Sequence, residues 1–478
     1  MGVHSLSATQ PECTAGRLNG MRTRKFRNFT TRFVMPVLAV CSLGVVACGT
    51  PHVGAAPGSS PRPSHSPLLL GCGPVPPRHA WATKVSADGH VRWQVRLPTI
   101  GANSDTAQSP VVAAGIALFA QDGVVHGLRL ADGQQRWSWA GGQTVYGMWP
   151  WHGTVAVLTD QVSTHARLTG LDAVTGRVVW TVRLPRQGLY GTLAATTDGG
   201  LAMIGADGRV RVAGLGTGRV RWAQPASQSP GPAAIDGNVV TGAGGRLTGY
   251  DDRSGRVRWR LSGVPSDPVL QALAGLVLVT SGSQGPHDPT ALTAVSPATG
   301  RVAWRFDPGT PVTVLSADRA GLAVTTYANR RLYLIDPASG RVRWHAATFI
   351  AQDTVPLVTA TDVYSMEGGA VDYPVQRIAD RNAANGKLRW ARALAAQAIG
   401  PQPVLRIGTQ VVAQTNSGKP DGKAPLLAFH AGSGQPAWRV DLPTLVQAPP
   451  VLVPGGLLVQ ADDPGYACPA AGAAIPAA

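Results

Sequence analysis

The chain has 478 residues, among them 58 glycines and 39 prolines, and a formal net charge of +16 at pH 7. This composition, with no long stretch of helical periodicity after residue 50, excludes a mainly helical protein and favours short strands joined by tight turns. The positive charge suits an anionic partner. We expect no nucleic-acid partner, because no basic run is interleaved with aromatic residues.

The first segment of the chain predicts export. Met21–Arg32 holds five basic residues and is followed by Phe33–Ala47, an apolar run of 15 residues that is shorter than the ~20 residues of a membrane-spanning helix. The run ends in VVAC, which resembles the lipobox of bacterial lipoproteins. We therefore expect residues 1–47 to be a signal peptide, with Met21 as the true start, and Cys48 to be lipidated. Ordinary signal cleavage and an uncleaved anchor are the alternatives.

Residues 48–79 are rich in proline, serine and glycine and predict a tether. As a coil, such a segment reaches roughly 25 to 30 Å, which would hold a folded domain just clear of the extracytoplasmic face of the cell membrane. A chain beginning at Cys48 keeps 36 basic and 25 acidic residues. The excess predicts attraction to anionic lipid headgroups or cell-wall polymer, or else a scattered arginine surface.

Five cysteines are present, of which Cys13 and Cys41 lie in the leader and Cys48 is the predicted lipid site. Cys72 and Cys468 remain, one just before and one just after the repeats described next. In an oxidising compartment such a pair predicts a disulfide. Two unpaired thiols are the alternative.

A short motif, a glycine four residues before a tryptophan, recurs nine times, and SGRVRW is spelled identically twice. Successive tryptophans lie 37 to 48 residues apart, a period typical of a solenoid, a propeller or an array. The tryptophans are Trp93, Trp137, Trp180, Trp222, Trp259, Trp304, Trp344, Trp390 and Trp438.

One unit of the repeat predicts four strands. Before Trp344, residues 322–327 and 331–335 alternate as strands and Asp336–Gly340 forms a turn. Residues 342–345, which include the tryptophan, form the last strand, and the upstream run PVTVLSADRAG supplies the remaining one. Gly340 suits a turn position with positive φ, and the Asp336 carboxylate can accept backbone N–H groups. A large flat ring once per unit is expected to pack against the neighbouring unit, and closing the units into a ring removes exposed ends.

The copies RLYLIDPASGRVRW and LTGLDAVTGRVVW resemble the pyrroloquinoline-quinone-type propeller repeat. The resemblance implies an all-β protein in which residues 80–468 form one β-propeller of four-stranded blades, followed by a flexible tail at 469–478. Eight blades are favoured by the habit of such propellers, although nine units are counted. The strand pair ending at Trp93 and the pair in Pro449–Gln460 would complete one blade together, with Cys72 and Cys468 at the seam.

No catalytic or metal-binding motif is found, so we expect no enzyme activity, no cofactor and no metal. Quinone-dependent dehydrogenases of this propeller type stack their cofactor on a vicinal disulfide and bind Ca²⁺ through a glutamate. This chain has no adjacent cysteines, and its single glutamate after the leader, Glu367, lies in the loop segment MEGGAVDYP.

Departures from the repeat period are candidate binding features. Tyr146, Trp149 and Trp151, with Tyr190 in the next unit, predict a stacking platform for sugar or peptide at one rim, or a filling for the channel or an inter-blade gap. Three longer loops, at residues 282–290, 366–376 and 415–425, are expected to project from one face.

Two functions follow. The favoured one is a non-catalytic, membrane-anchored lipoprotein, monomeric, whose propeller displays loops to protein or cell-envelope partners; in fold and tether it resembles the propeller lipoproteins of outer-membrane protein assembly. The alternative is an extracytoplasmic binder of, or enzyme acting on, a small ligand or glycan at the aromatic rim.

Overall fold

The computed structural model describes residues 80–462, and every element in them is a β-strand, as the all-β prediction requires. The predicted signal peptide and tether and the tail lie outside the described residues, as do Cys48, Cys72 and Cys468. Also outside them are residues 99–107, 143, 161–165, 185–188, 227–230, 282–289, 319, 327–328, 349, 351–353, 369–376, 395–401, 416–423, 444 and 447.

The first two strands and the first four blades follow in chain order. Each blade is one antiparallel sheet whose strands pair in sequence order. The bounds are β1 (Ala80–Ser86) and β2 (Val91–Leu97); blade 1, β3 (Val111–Ala113), β4 (Ile116–Gln121), β5 (Val124–Arg129) and β6 (Gln135–Ala140); blade 2, β7 (Val145–Trp151), β8 (Thr154–Thr159), β9 (Arg167–Asp172) and β10 (Val178–Arg183); blade 3, β11 (Leu189–Ala195), β12 (Gly200–Gly205), β13 (Arg209–Gly214) and β14 (Val220–Pro225); blade 4, β15 (Ala233–Ile235), β16 (Asn238–Ala243), β17 (Arg246–Asp251) and β18 (Val257–Ser262).

Four further blades repeat the pattern, and a short parallel pair, β27 with β32, links the innermost parts of blades 7 and 8. The bounds are blade 5, β19 (Pro268–Leu273), β20 (Leu276–Ser281), β21 (Leu292–Val295) and β22 (Val302–Phe306); blade 6, β23 (Val312–Asp318), β24 (Gly321–Thr326), β25 (Arg331–Ile335) and β26 (Val342–Ala347); β27 (Thr354–Val355); blade 7, β28 (Leu357–Val358), β29 (Asp362–Glu367), β30 (Arg377–Asn382) and β31 (Leu388–Ala393); β32 (Gln402–Pro403); blade 8, β33 (Leu405–Ile407), β34 (Gln410–Gln414), β35 (Ala424–His430) and β36 (Pro436–Leu442).

The ninth blade, which we call the seam blade, joins the two ends of the described chain. β37 (Leu445–Val446) and β38 (Val451–Val453) pair with β39 (Gly456–Asp462), which pairs antiparallel with β1, and β1 pairs with β2. This is the arrangement predicted from the strand pair that ends at Trp93 and the strand pair in Pro449–Gln460, each of which is half of a four-stranded unit. The ends of the array are therefore held by backbone hydrogen bonds between strands far apart in sequence.

The described residues thus form nine blades, so the preference for eight is wrong and the count of nine repeat units is right. Eight units each contain all four strands of their own sheet, and the two terminal pairs add one more. The preference came from the habit of related propellers, whereas the number of motif copies in this chain sets the number of sheets.

The nine motif tryptophans join neighbouring blades around the whole ring. Eight of them donate the indole N–H to a carbonyl of the next blade at 2.7 to 3.1 Å, from Trp93 on Leu130 to Trp438 on Ala87, which closes the ring. Apolar clusters between the seam blade and blade 1, and between blade 8 and the seam blade, are continuous with this closure. The prediction that the tryptophan packs against the neighbouring unit is confirmed.

The motif glycine has two roles, of which the sequence indicated one. All nine motif glycines have φ between +65° and +85°, as the predicted turn requires. A Cβ on any of them would also lie 2.4 to 2.7 Å from the tryptophan side chain of the preceding blade. Glycine is therefore required both by the turn conformation and by the tryptophan indole that packs against it.

The antiparallel strands give each blade two ends. At the end we call the turn face, the third and fourth strands are joined by the glycine-containing turn, as at Asp336–Gly340. At the opposite end, the loop face, the second strand connects to the third and the fourth leads into the next blade. The strand ends at Ser281, Glu367 and Gln414 all lie at the loop face, so the three long loops leave from one face, as predicted.

Candidate functional site

The predicted aromatic rim falls on the innermost strand of blade 2. Tyr146, Trp149 and Trp151 are partly buried on β7 and pack against an apolar cluster shared by blades 2 and 3, which includes Leu158 and Met203. The structure therefore brings these three aromatic residues together at an inter-blade junction. Their role as a ligand platform stays a prediction, and the side chain of Tyr190 lies outside the described residues.

Trp151 shows how tightly this junction is filled. A Cβ built on Gly199, at the β11–β12 turn of blade 3, would lie 2.2 Å from the Trp151 indole. The ring of His152 meets the same indole edge-on at 4.5 Å between centroids. At this same junction the buried indole N–H of Trp180, alone among the nine motif tryptophans, has no acceptor among the residues that the structure describes. The blade 2–blade 3 junction is thus packed by extra aromatic rings instead of by the repeated hydrogen bond.

The turn face is lined by aspartates that hold the motif turns. Asp336 Oδ1 accepts from the backbone N–H and the hydroxyl of Ser339 at 2.9 Å each, while Arg343 donates to Oδ2 at 2.6 Å. The Arg343 and Ser339 bonds lower the pKa of Asp336 to about 2, and the matching Ser254 and Arg258 bonds lower that of Asp251 to about 2. These carboxylates are committed to the turns and stay ionised at neutral pH.

The loop face carries a buried charge cluster that sequence reasoning missed. The prediction that Glu367 lies in a loop is wrong: it is the last residue of β29, only 1% exposed, and the long loop begins after it. Its Oε1 accepts from Arg381 Nε at 2.9 Å and Ser365 Oγ at 3.1 Å, and its Oε2 accepts from Arg377 Nη2 at 2.7 Å. Burial raises the pKa of Glu367, but the two guanidiniums outweigh it and the net shift is downward. The cluster ties together the two strands that flank the loop.

This carboxylate does not fit a calcium–quinone site of the dehydrogenase type. Both of its oxygens are occupied by arginine donors, so a cation would meet two guanidiniums in its place. In the described part of the chain, no group of three or more His, Cys, Asp or Glu side chains is arranged to hold a metal ion. That part also contains no helix long and apolar enough to cross a membrane.

Asp380 is another buried carboxylate in blade 7, and neither of its oxygens receives a hydrogen bond from a residue that the structure describes. It stands opposite both Tyr364 and Trp390 in the sheet, and Arg389 Nη1, which pairs directly with Asp362, is 3.9 Å away. Burial first, and then the negative charge of Asp362, raise the pKa of Asp380 to about 6. The signal that could have revealed it is its register: the residue opposite the motif tryptophan is apolar or glycine in blades 1 to 6 and blade 8.

The family model described as outer membrane protein assembly factor BamB matches residues 147–283 and 288–420, more than half of the chain. The chain belongs to this family. The matched segments run through blades 2 to 8, so membership rests on the repeated framework. A comparison with curated protein sequences gives no match.

One solved structure supports the fold assignment, and two others are similar at lower TM-scores. A eukaryotic initiation factor, 11% identical, superposes with a TM-score of 0.53 over 80% of this chain and 98% of its own. BamB from Moraxella catarrhalis is 16% identical with a TM-score of 0.44, covering 66% of this chain and 96% of its own. Quinohemoprotein alcohol dehydrogenase from Comamonas testosteroni is 15% identical with a TM-score of 0.43, covering 76% and 75%. At these identities the first likeness shows a shared fold only.

Proposed function

We propose that this BamB-family chain is a membrane-anchored extracytoplasmic lipoprotein, monomeric, whose propeller is a non-catalytic scaffold for protein or cell-envelope partners. The proposal rests on a difference between the repeated framework and the loop face. The repeated residues are used in blade packing and turns, whereas the departures in loop length all leave from the loop face.

The chemistry of the repeated framework supports a scaffold. The motif tryptophans and glycines make contacts between blades. The aspartates of the turn face accept hydrogen bonds within their own turns. Long loops on a rigid framework are the usual location of binding residues. A face with several long loops therefore offers a broad surface for recognition, with no catalytic constellation needed.

Family membership supports the same conclusion at a coarser level. The matching family is described as an outer membrane protein assembly factor, and assembly factors work through contacts with other proteins. The basic excess of the chain after residue 47 adds an anionic envelope surface as a second class of partner.

The anchor is tested by lipidation at Cys48. We expect the chain expressed in a bacterial host to incorporate labelled palmitate and to partition into the detergent phase, and a Cys48→Ser variant to lose both properties. Mass spectrometry of the mature N-terminus shows whether Cys48 is residue one and whether translation starts at Met21. A mature protein that begins elsewhere and carries no lipid contradicts the anchor.

The scaffold is tested by proximity labelling from the tethered domain in cells. We expect reproducible labelling of envelope proteins, reduced when residues 369–375 are replaced by a Gly-Ser linker of equal length. The matched control replaces Val174 and Ala338, exposed residues in the turn-face turns of blades 2 and 6, by serine, and should leave labelling unchanged. Labelling no different from that of a lipidated unrelated domain contradicts the proposal.

A further inference from the structure

A cavity of about 560 Å³ opens at the loop face between blades 3 and 4. Pro225 and Ala226, at the end of β14, form one wall, and the β16–β17 hairpin of blade 4 forms the other. Its volume lies in the range of pockets that hold small organic ligands. Unlike the apolar clusters between most blades, its walls carry two arginines and three hydroxyl groups.

The polar side chains of the cavity share one face of blade 4. Arg246, Thr248 and Tyr250 alternate along β17, so they project to the same side, and the Tyr250 ring stacks on Trp222 of blade 3 at 5.7 Å. Thr248 stands opposite Thr241 on one neighbouring strand and opposite Arg260 on the other. Side chains directly opposite in an antiparallel sheet lie on the same side. The two arginines and two threonines therefore converge on the cavity.

The two arginines of this cavity have no acidic residue beside them in the described part of the chain. Among the residues that the structure describes, no aspartate or glutamate lines the cavity. Elsewhere in the same two blades, Arg211 pairs with Asp207 and Arg258 with Asp251. Neither Arg246 nor Arg260 makes a hydrogen bond or ion pair with another residue that the structure describes. Two guanidiniums with free donors beside a cavity are a suitable receptor for an anion.

We propose that this cavity binds the phosphate group of a small phosphate ester or of an anionic polymer or lipid headgroup. Two guanidinium forks and the hydroxyls of Thr241 and Thr248 offer more donors than the two oxygens of a carboxylate accept, whereas a phosphate monoester presents three terminal oxygens. The Tyr250 hydroxyl is already bound to Pro225 O at 3.2 Å and serves the wall. The remaining volume accommodates the organic part of the ester.

The test uses the full chain in detergent and two probes. Calorimetry measures binding of sn-glycerol 3-phosphate, with glycerol as the neutral comparison, and mixed micelles containing phosphatidylglycerol are compared with micelles containing phosphatidylcholine. We expect Arg246→Gln and Arg260→Gln each to weaken binding about 10-fold to 100-fold, the range of a lost charge-assisted hydrogen bond. Both residues are exposed, so the variants should fold, which unfolding temperature checks.

Arg256→Gln is the matched control, because it removes the same charge from the same blade at the turn face, away from the cavity. Binding of glycerol 3-phosphate that only the two cavity variants weaken supports the site and identifies a free ester as sufficient. Binding to phosphatidylglycerol alone, with the same sensitivity, supports it and identifies a headgroup. Binding to neither probe, or equal weakening by Arg256→Gln, overturns the proposal.

Discussion

Blades 6 and 7 are neighbours with the same strand order, but blade 6 is stabilised by apolar packing at positions where blade 7 has buried charged residues. In blade 6 the residue opposite the motif tryptophan Trp344 is Leu334, which is fully buried, and the second strand ends in Thr326. In blade 7 the corresponding positions are Asp380 and Glu367. The repeat therefore constrains backbone, glycine and tryptophan strictly, while positions between them can carry charge if the local environment compensates it.

Glu367 and Asp380, two of the buried acids of blade 7, differ in that compensation. Glu367 has two arginines and a serine around it, so it is ionised and structural. Asp380 receives no hydrogen bond in the described part of the chain, and its pKa is raised. We expect blade 6 to respond to the loss of packing and blade 7 to the loss of charge and to pH. Four experiments distinguish these responses.

The largest effect is expected for Trp344→Ala, which removes the ring that covers Gly386 and the hydrogen bond to Ala383 O at 2.9 Å. Truncating a buried tryptophan costs about 3 to 5 kcal/mol. Urea unfolding of the variant measures the loss. Trp139→Ala, a partly exposed tryptophan outside the motif, is the control and should cost clearly less. Equal losses would contradict the special role of the motif ring.

Glu367→Gln is expected to be nearly as severe, because it leaves the 8% exposed Arg381 without its counter-charge. Removing one partner of a buried ion pair costs about 3 kcal/mol or more. The same unfolding measurement applies. Asp132→Asn, which breaks the exposed pair with Arg129, is the matched control and should have a much smaller effect. A neutral Glu367→Gln would show that the cluster does not hold the blade.

Asp380→Asn is expected to stabilise the protein at neutral pH and not at acid pH. The folded pKa of about 6 lies above the ordinary value of 3.8, so the ionisation of Asp380 costs more in the folded state. In the unsubstituted protein, the free energy of unfolding is therefore not reduced by Asp380 below pH 4. It falls as the pH rises through about 6 and Asp380 ionises. The loss avoided by the asparagine variant is about 3 kcal/mol.

Urea unfolding at pH 4 and pH 7.5 measures this difference. The midpoint of the variant should be higher than that of the unsubstituted protein at pH 7.5 and not at pH 4. In Asp132 the bonds from Arg129 lower the pKa, so Asp132→Asn should show the opposite trend. A pH-independent effect of Asp380→Asn would contradict a buried Asp380 carboxylate with a raised pKa.

The smallest effect is expected for Gly340→Ala, which separates the two roles of the motif glycine. Gly340 has φ of +70°, and a Cβ at this position would lie 2.5 Å from the Trp304 ring, whereas Gly275 has φ of +77° and open space around it. Gly275→Ala should cost about 1 kcal/mol for backbone strain alone, and Gly340→Ala about 2 kcal/mol or more because of the added overlap. Thermal unfolding of both variants measures the two losses of stability. Equal losses would mean that the Trp304 ring moves away from the added methyl group at no cost in stability.

Much of the fold was predictable because the repeat is written in local signals. Alternation, the aspartate–glycine turn and one tryptophan per unit predicted β24, β25 and β26 of blade 6 within two residues at each end. The joining of the terminal half-units into one blade was predictable for the same reason, since each lacked the strands that the other had. The preference for eight blades failed because it was taken from related proteins.

The candidate sites were less predictable, because they depend on contacts between residues far apart in the ring. Tyr146, Trp149 and Trp151 were visible as departures from the repeat, but that they pack between blades 2 and 3 follows from the position of blade 3. Arg246 and Arg260 were unremarkable in a chain rich in arginine. Only the register of blade 4 places them on one cavity, where the described residues include no acidic partner.

The sequence by itself determined the strand pattern, the turns and the number of units, because each rests on the conformational preferences of a few adjacent residues. Only the tertiary structure decided which residues are in contact across the junctions. It places a glycine beneath each tryptophan ring, brings two arginines around Glu367, buries Asp380 without a hydrogen bond from a described residue, and leaves Arg246 and Arg260 without a partner in the described part of the chain. Those depend on the approach of one blade to another and on burial, which local sequence does not encode.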